Sequence, residues 1–195
     1  MPPLSPSSNA YGYPLLIKHL LTRSNIASAC QEIVSGTEMR LSYADLGKRV
    51  RQLANSLKVS GIRECMRVGV MDWDTHRYLE CFFAVPMMGA TLFTINVRLS
   101  PAQVLYTINH GQPDLIIVHR DFMPLIDDIK SGFNRDIIIV SIGDGEGYEE
   151  WISEAPGCFD FPDFDENQTA TLFYTTGTTG NPKGVSYSHR QLVLH

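Results

Sequence analysis

The run from Tyr174 to Gly184 sets four threonines (Thr175, Thr176, Thr178, Thr179), three glycines (Gly177, Gly180, Gly184) and one lysine (Lys183) into one short segment. Glycine lets the backbone turn where a Cβ would clash, so N–H groups can converge on a ligand. A concavity of N–H groups with a lysine at its rim is an anion cradle. Threonine hydroxyls add donors to phosphate oxygens and can ligate Mg2+. The chemistry that asks for this mixture is binding the polyphosphate of a nucleotide. Thr171-Leu172-Phe173 precede the run and Val185 follows it, so one strand enters the loop and a short strand leaves it. The plainer alternative is a polar turn between two strands.

Two familiar phosphate motifs do not fit. A Walker A loop needs a second glycine directly before its lysine and Ser or Thr after it; here Pro182 precedes Lys183 and Gly184 follows. A dinucleotide fingerprint needs Gly-x-Gly-x-x-Gly opening a helix, whereas this run leads into Val185-Ser186-Tyr187. Thr175-Thr176-Gly177-Thr178-Thr179-Gly180-Asn181-Pro182-Lys183-Gly184 instead resembles the phosphate-binding signature of the AMP-forming adenylating enzymes: acyl-CoA synthetases, peptide-synthetase adenylation domains and luciferases. Upstream, Leu41-Ser42-Tyr43-Ala44-Asp45-Leu46, Phe83 to Ala90 and Asn96-Val97-Arg98-Leu99 resemble further family segments in the same order. Tyr187-Ser188-His189-Arg190 is most similar to bacterial medium- and long-chain fatty acyl-CoA ligases.

The resemblance implies a two-step reaction. A carboxylate attacks the α-phosphate of ATP, giving an acyl-adenylate and pyrophosphate, and coenzyme A then displaces AMP. It implies ATP and Mg2+ as cofactors, coenzyme A as co-substrate and a fatty or other carboxylic acid as partner. It assigns Thr175, Thr176, Gly177, Thr178, Thr179, Gly180, Lys183 and Gly184 to the ATP phosphates, with Thr175 or Thr176 on Mg2+. His189 is expected either beside the acyl or nucleotide pocket or packed behind its wall at a helix start. The family's later motifs, including the catalytic lysine, are not in this stretch, so no catalytic residue is assigned. The expectation is a lead-in over 1–11 and the N-terminal part of the AMP-binding domain over 12–195, without the C-terminal small domain and inactive alone. A fragment of an aryl-acid ligase or of a peptide-synthetase domain, or a non-catalytic phosphate- or partner-binding protein, are the alternatives.

Bulk properties narrow the classes. The chain has 195 residues, 44% hydrophobic and 19% charged, enough for a full core and ordinary for a globular protein. A net charge of -5 gives no basic footprint for nucleic acid. No apolar run is long enough to span a bilayer, which leaves at most peripheral membrane association. Met1 to Asn9 is rich in Pro and Ser, without a secretory pattern. Cys30, Cys65, Cys81 and Cys158 form no metal or redox motif and are read as reduced thiols of a cytoplasmic protein, with a homodimer left open.

The elements that must position the loop alternate. Pro14 to Leu21 reads as a helix, and Gln31 to Leu41 as a hairpin turning at Ser35-Gly36. Ser42 caps a helix with Asp45 three residues on, and Leu46, Val50, Leu53 and Leu57 share one face up to Gly61. Trp73-Asp74 opens another helix, with Asp at the positive end of its dipole. Strands at Arg67–Met71, Thr91–Ile95, Leu115–Val118 and Ile137–Val140 are separated by helices over 75–87, from Ser100-Pro101, and over 122–129. Continuous aliphatic strands between helices mean an α/β fold, a largely parallel sheet layered with helices on both faces. Gly143 to Gly147 reads as a surface loop, Trp151 with Tyr148 and Ile152 as packing, His76, His110 and His119 as structural or exposed, and Pro156 to Asn167 as a crossing segment that delivers the chain to the phosphate loop.

Overall fold

The computed structural model describes residues 9, 12–36, 39–143, 146–175 and 180–195. Nearly all of the lead-in over 1–11 lies outside them, as do Thr176, Gly177, Thr178 and Thr179. In chain order the elements are α1 (Lys18–Ala27), β1 (Glu32–Ser35), β2 (Met39–Ser42), α2 (Tyr43–Val59), β3 (Arg67–Met71), α3 (His76–Met87), β4 (Thr91–Thr94), α4 (Pro101–Gly111), β5 (Leu115–His119), α5 (Met123–Ile129), β6 (Ile138–Ile142), α6 (Glu146–Ser153), β7 (Thr169–Thr175), β8 (Lys183–Ser188) and α7 (His189–Leu194).

Six strands form one sheet in the order β6-β5-β3-β4-β7-β8. The first five are mutually parallel and β8 returns antiparallel to β7. The period of two along a strand divides the core into two layers. Val68, Val70, Leu92, Leu115 and Ile117 point into a layer built by α1, α2, α3 and α6. Phe93, Ile116 and Val118 point into the layer of α4 and α5. Gly69 lies on this second face, where an added Cβ would stand 3.0 Å from Ile116 and 3.1 Å from Ile95, so the close packing of β3 on its neighbours needs glycine there.

The helix signals hold. The Ser42 hydroxyl accepts from Asp45 N–H and the Asp45 carboxylate accepts from Ser42 N–H, a reciprocal cap at the start of α2. Leu46, Val50, Leu53 and Leu57 are all fully buried, and Gly61, at φ +92°, ends the turn. Ser100 and Gln103 repeat the reciprocal cap on α4. Thr75 stands at the N-cap position of α3 without a side-chain cap bond, and Asp72 rather than Asp74 organises the entry, accepting from Trp73 N–H and from the Thr75 hydroxyl.

Three local expectations are corrected. The first helix runs over Lys18–Ala27, because the chain ahead of it is a tight turn in which Leu16 N–H donates to the Pro14 carbonyl at 2.9 Å. The strand read from Ile137 begins at Ile138 and is an edge: Ile138 is 49% exposed, since no strand lies beyond β6 among the described residues. Within Gly143 to Gly147, Glu146 already starts α6. That helix was not legible because a glycine and two acids surround its start; what holds it is Tyr148 and Ile152, both buried against α2 and α3. The stretch from Pro156 to Asn167 is irregular, as anticipated, and carries the chain across to β7.

Candidate functional site

Strand order defines where a ligand can approach. From β3 the chain steps through α3 to β4 on one side, then crosses through α4 to β5 on the other. In open α/β sheets such a switch point opens a crevice beyond the strand ends. At that point Trp73 Nε1 donates to Asp121 Oδ2 at 2.9 Å, and the Trp73 and Phe122 rings lie 4.6 Å apart. The Thr/Gly-rich loop expected to bind phosphate leaves the same, carboxyl-terminal edge of the sheet two strands away, from β7.

The stem of that loop is an antiparallel pair. Thr175 faces Lys183 and Tyr174 faces Gly184 in the β7–β8 register. The Thr175 hydroxyl donates to the Lys183 carbonyl at 3.5 Å, a long contact that leaves its oxygen lone pairs open. Thr175, Gly180, Lys183 and Gly184 are all exposed, and Pro182 is buried. Gly180 has φ +94°, a conformation that L side chains rarely adopt, so its glycine is required by the turn. The structure brings Thr175, Gly180, Lys183 and Gly184 to one end of one hairpin.

Beside the stem, on the α4 side of the sheet, lies an open cleft of about 400 Å3. Arg67, His110, Gln168, Tyr174, Gly184 and Ser186 line it. The Tyr174 hydroxyl and His110 Nδ1 are 2.6 Å apart. Burial pushes the Tyr174 phenol up from its ordinary value, so it is a neutral hydroxyl at physiological pH. Sequence reasoning did not find this pair: its members lie 64 residues apart, and nothing in either local pattern points to the other.

His189 sits at the opposite end of the hairpin from the loop, since Ser188 faces Thr169 at the start of β7. It opens α7 behind a reciprocal cap of Ser188 and Gln191. It is fully buried; its Nδ1 accepts from Ile17 N–H, and the Phe164 ring meets it edge-on at 4.8 Å. Burial lowers its pKa to about 4, so it is a neutral imidazole. Its partners are the N-terminal segment and the crossing segment. His119 and His76 are buried in structural roles, and His110 is exposed in the cleft.

A second polar cluster lies away from the loop. Arg49 donates from Nε to Glu80 at 2.6 Å and from its terminal nitrogens to Glu149 at 2.7 and 3.0 Å, and the Tyr148 hydroxyl donates to Glu80 at 2.7 Å. His76, 3.7 Å from Glu149 and too far for a hydrogen bond, and the Arg49 guanidinium hold that carboxyl below its usual range. The cluster ties α2, α3 and α6 together. Among the described residues no group of His, Cys, Asp or Glu could hold a metal ion, and no helix is long and apolar enough to cross a membrane.

The chain is 35% identical, over 93% of its length, to a 3-methylmercaptopropionyl-CoA ligase of Ruegeria lacuscaerulensis, of which it covers 36%. It is 37% identical, over 85% of its length, to a long-chain-fatty-acid–CoA ligase of Thermus thermophilus, of which it covers 32%. Among solved structures it superposes on the anthranilate CoA ligase AuaEII in complex with anthranoyl-AMP with a TM-score of 0.83 at 26% identity, over 91% of this chain and 35% of that one. The chain thus spans about a third of the length of the curated relatives it matches. The family model for AMP-binding enzymes matches residues 23–195, which takes in the six-stranded sheet and the β7–β8 hairpin, and the chain belongs to that family.

Proposed function

We propose that the protein carrying this chain is an AMP-forming acid–CoA ligase acting on a fatty acid, and that this chain supplies the phosphate-binding half of its nucleotide site. The observation that carries the proposal is the hairpin stem: Thr175 against Lys183, with Gly180 held at φ +94° between them. That stem ends a hydroxyl- and glycine-rich loop at the carboxyl edge of the sheet. In the first step a carboxylate oxygen bonds to the α-phosphorus of ATP and the bond to pyrophosphate breaks. In the second, the coenzyme A thiol bonds to the acyl carbon, its proton passes to solvent, and AMP leaves. Catalysis of the first step rests on positioning and on neutralising charge that grows on the leaving pyrophosphate. Thr175, Thr176, Gly177, Thr178, Thr179, Gly180, Lys183 and Gly184 are assigned to that end. Catalytic groups of the second step are not assigned to this chain.

Mg2+ fits the residues present. A hard cation takes oxygen ligands and keeps several waters, bound through phosphates and few protein groups. The Thr175 oxygen, committed only to a long contact as donor, suits that role, as does Thr176 in the same reading. When bound, the ion adds positive charge at the phosphates. The four cysteines are all unpaired, three of them exposed, which supports a reducing compartment and hence the cytoplasm. The likeness to an anthranilate CoA ligase keeps an aryl acid as a second substrate class.

The test measures acid-dependent pyrophosphate release and thioester formation on the complete protein, across straight-chain and aryl acids. Release that requires a straight-chain acid supports the proposal. Release with aryl acids alone selects the second class, and nucleotide binding without acid-dependent release overturns both.

A further inference from the structure

We propose that His110, on α4, is a positioning residue for the phosphate loop and acts through Tyr174, the penultimate residue of β7, just before the loop's first threonine. The inference rests on the function proposed above and adds to it a residue outside the loop that sets the loop's base.

Tyr174 is the last buried residue of β7, 8% exposed, and Thr175 beyond it is open. Its ring is held on two sides, with Phe93 at 5.5 Å and the His110 ring edge-on at 5.7 Å. Across the hairpin it faces Gly184, whose missing side chain leaves the ring against the backbone: a Cβ there would lie 3.4 Å from the Tyr174 Cζ. Movement of the ring therefore reaches Lys183 through one peptide unit. The fixed point for the ring is its hydroxyl, 2.6 Å from His110 Nδ1, at the short end of hydrogen-bond lengths.

That fixed point is itself anchored. Arg67 donates to the carbonyl of Gly111, the neighbour of His110, at 2.7 Å, and the Asn109 amide donates to the Gly132 carbonyl at 2.9 Å. Gly111 packs so closely on Phe93 that a Cβ would stand 2.8 Å from its ring. The end of α4 cannot slide along the sheet without breaking these contacts. A loop that aims N–H groups at a phosphate depends on where its stem is held, and this strut holds it from the neighbouring layer.

The test uses the whole protein with Tyr174→Phe, which keeps the ring and so keeps the fold, His110→Ala, and the double variant. Losing one hydrogen bond costs about threefold to tenfold. Each single variant is expected to raise KM for ATP in acyl-adenylate formation by about that factor, and to leave thioester formation from pre-formed acyl-adenylate within about twofold. The double variant should be no worse than either single one, because both remove the same link. Amide exchange of residues 183–186 should quicken by about the same factor, and that of β5 should not change. Equal losses in both reaction steps, additive losses in the double variant, or unchanged exchange at 183–186 would overturn the strut. If the wild-type protein forms no adenylate, the ligase assignment falls, while the exchange measurement still decides whether His110 holds the stem.

Discussion

The backbone N–H of Ile17 donates to Nδ1 of His189 at 3.3 Å, across 172 residues of sequence, inside the core. Beside it the Leu15 N–H donates to a Glu166 carboxylate oxygen at 2.7 Å, and Glu166 also pairs with Arg190. The segment ahead of α1 is thereby clasped to the first turn of α7. A neutral imidazole is required, since a protonated Nδ1 cannot accept.

This clasp sets a pH dependence of stability. The folded pKa of His189, about 4, is below the ordinary value of 6.5, so the folded state binds fewer protons than the unfolded one. Stability is therefore complete above about pH 6.5 and is lost as pH falls toward 4, by roughly 1–3 kcal/mol. Glu166, held below its usual range first by the Leu15 N–H and then by Arg190, acts in the same direction at lower pH. Urea midpoints between pH 7.5 and 4 check this, and His189→Gln should flatten the upper part of the curve.

Glu80 is fully buried and its charge is met by Arg49 and Tyr148. Arg49→Met should cost about 3–5 kcal/mol, because it leaves a buried carboxylate uncompensated. Adding Glu80→Gln should recover part of the loss. Denaturant midpoints of the two variants decide; equal stability of Arg49→Met and wild type would show that the cluster is solvated in solution.

Two glycines of the phosphate loop should answer differently to alanine. Gly180, at φ +94°, is strained by any Cβ although the space around it is open, and Gly180→Ala should cost about 1–3 kcal/mol of loop geometry. Gly184 has no positive φ, and its added Cβ would make an ordinary 3.4 Å contact with Tyr174. Gly184→Ala should leave the thermal midpoint nearly unchanged. KM for ATP, measured with melting temperature, should separate the two variants.

Lys183→Ala in the complete protein should weaken adenylation by roughly tenfold to a hundredfold, the cost of a charge-assisted contact of about 1.5–3 kcal/mol. Thioester formation from supplied acyl-adenylate should be spared, since pyrophosphate has left by then. Equal loss in both reactions would remove Lys183 from the phosphate cradle.

Much of the architecture was legible because local chemistry and global packing agree. Ser42 with Asp45 announces one helix start, through side chains that bond only their own turn, and Ser100 at the cap with Pro101 in the first turn announces another. The aliphatic run Leu115 to Val118 announces a strand buried on both faces. Edge strand β6 and helix α6 were harder: Ile138 reads as core but lies where the sheet ends, and α6 is held by Tyr148 and Ile152 rather than by its own start.

By itself the sequence determined the family signature, because the run of Thr, Gly and Lys from Thr175 to Gly184 is a local property of ten residues. It also determined that strands flank the loop and that a capped helix follows. Only the tertiary structure decided what stands behind the loop. His110 reaches Tyr174 across 64 residues and Ile17 reaches His189 across 172, and a hydrogen bond leaves no trace in sequence when its partners lie on different elements. The strand order likewise decided that Trp73, after β3, meets Asp121, after β5, at the switch point of the sheet.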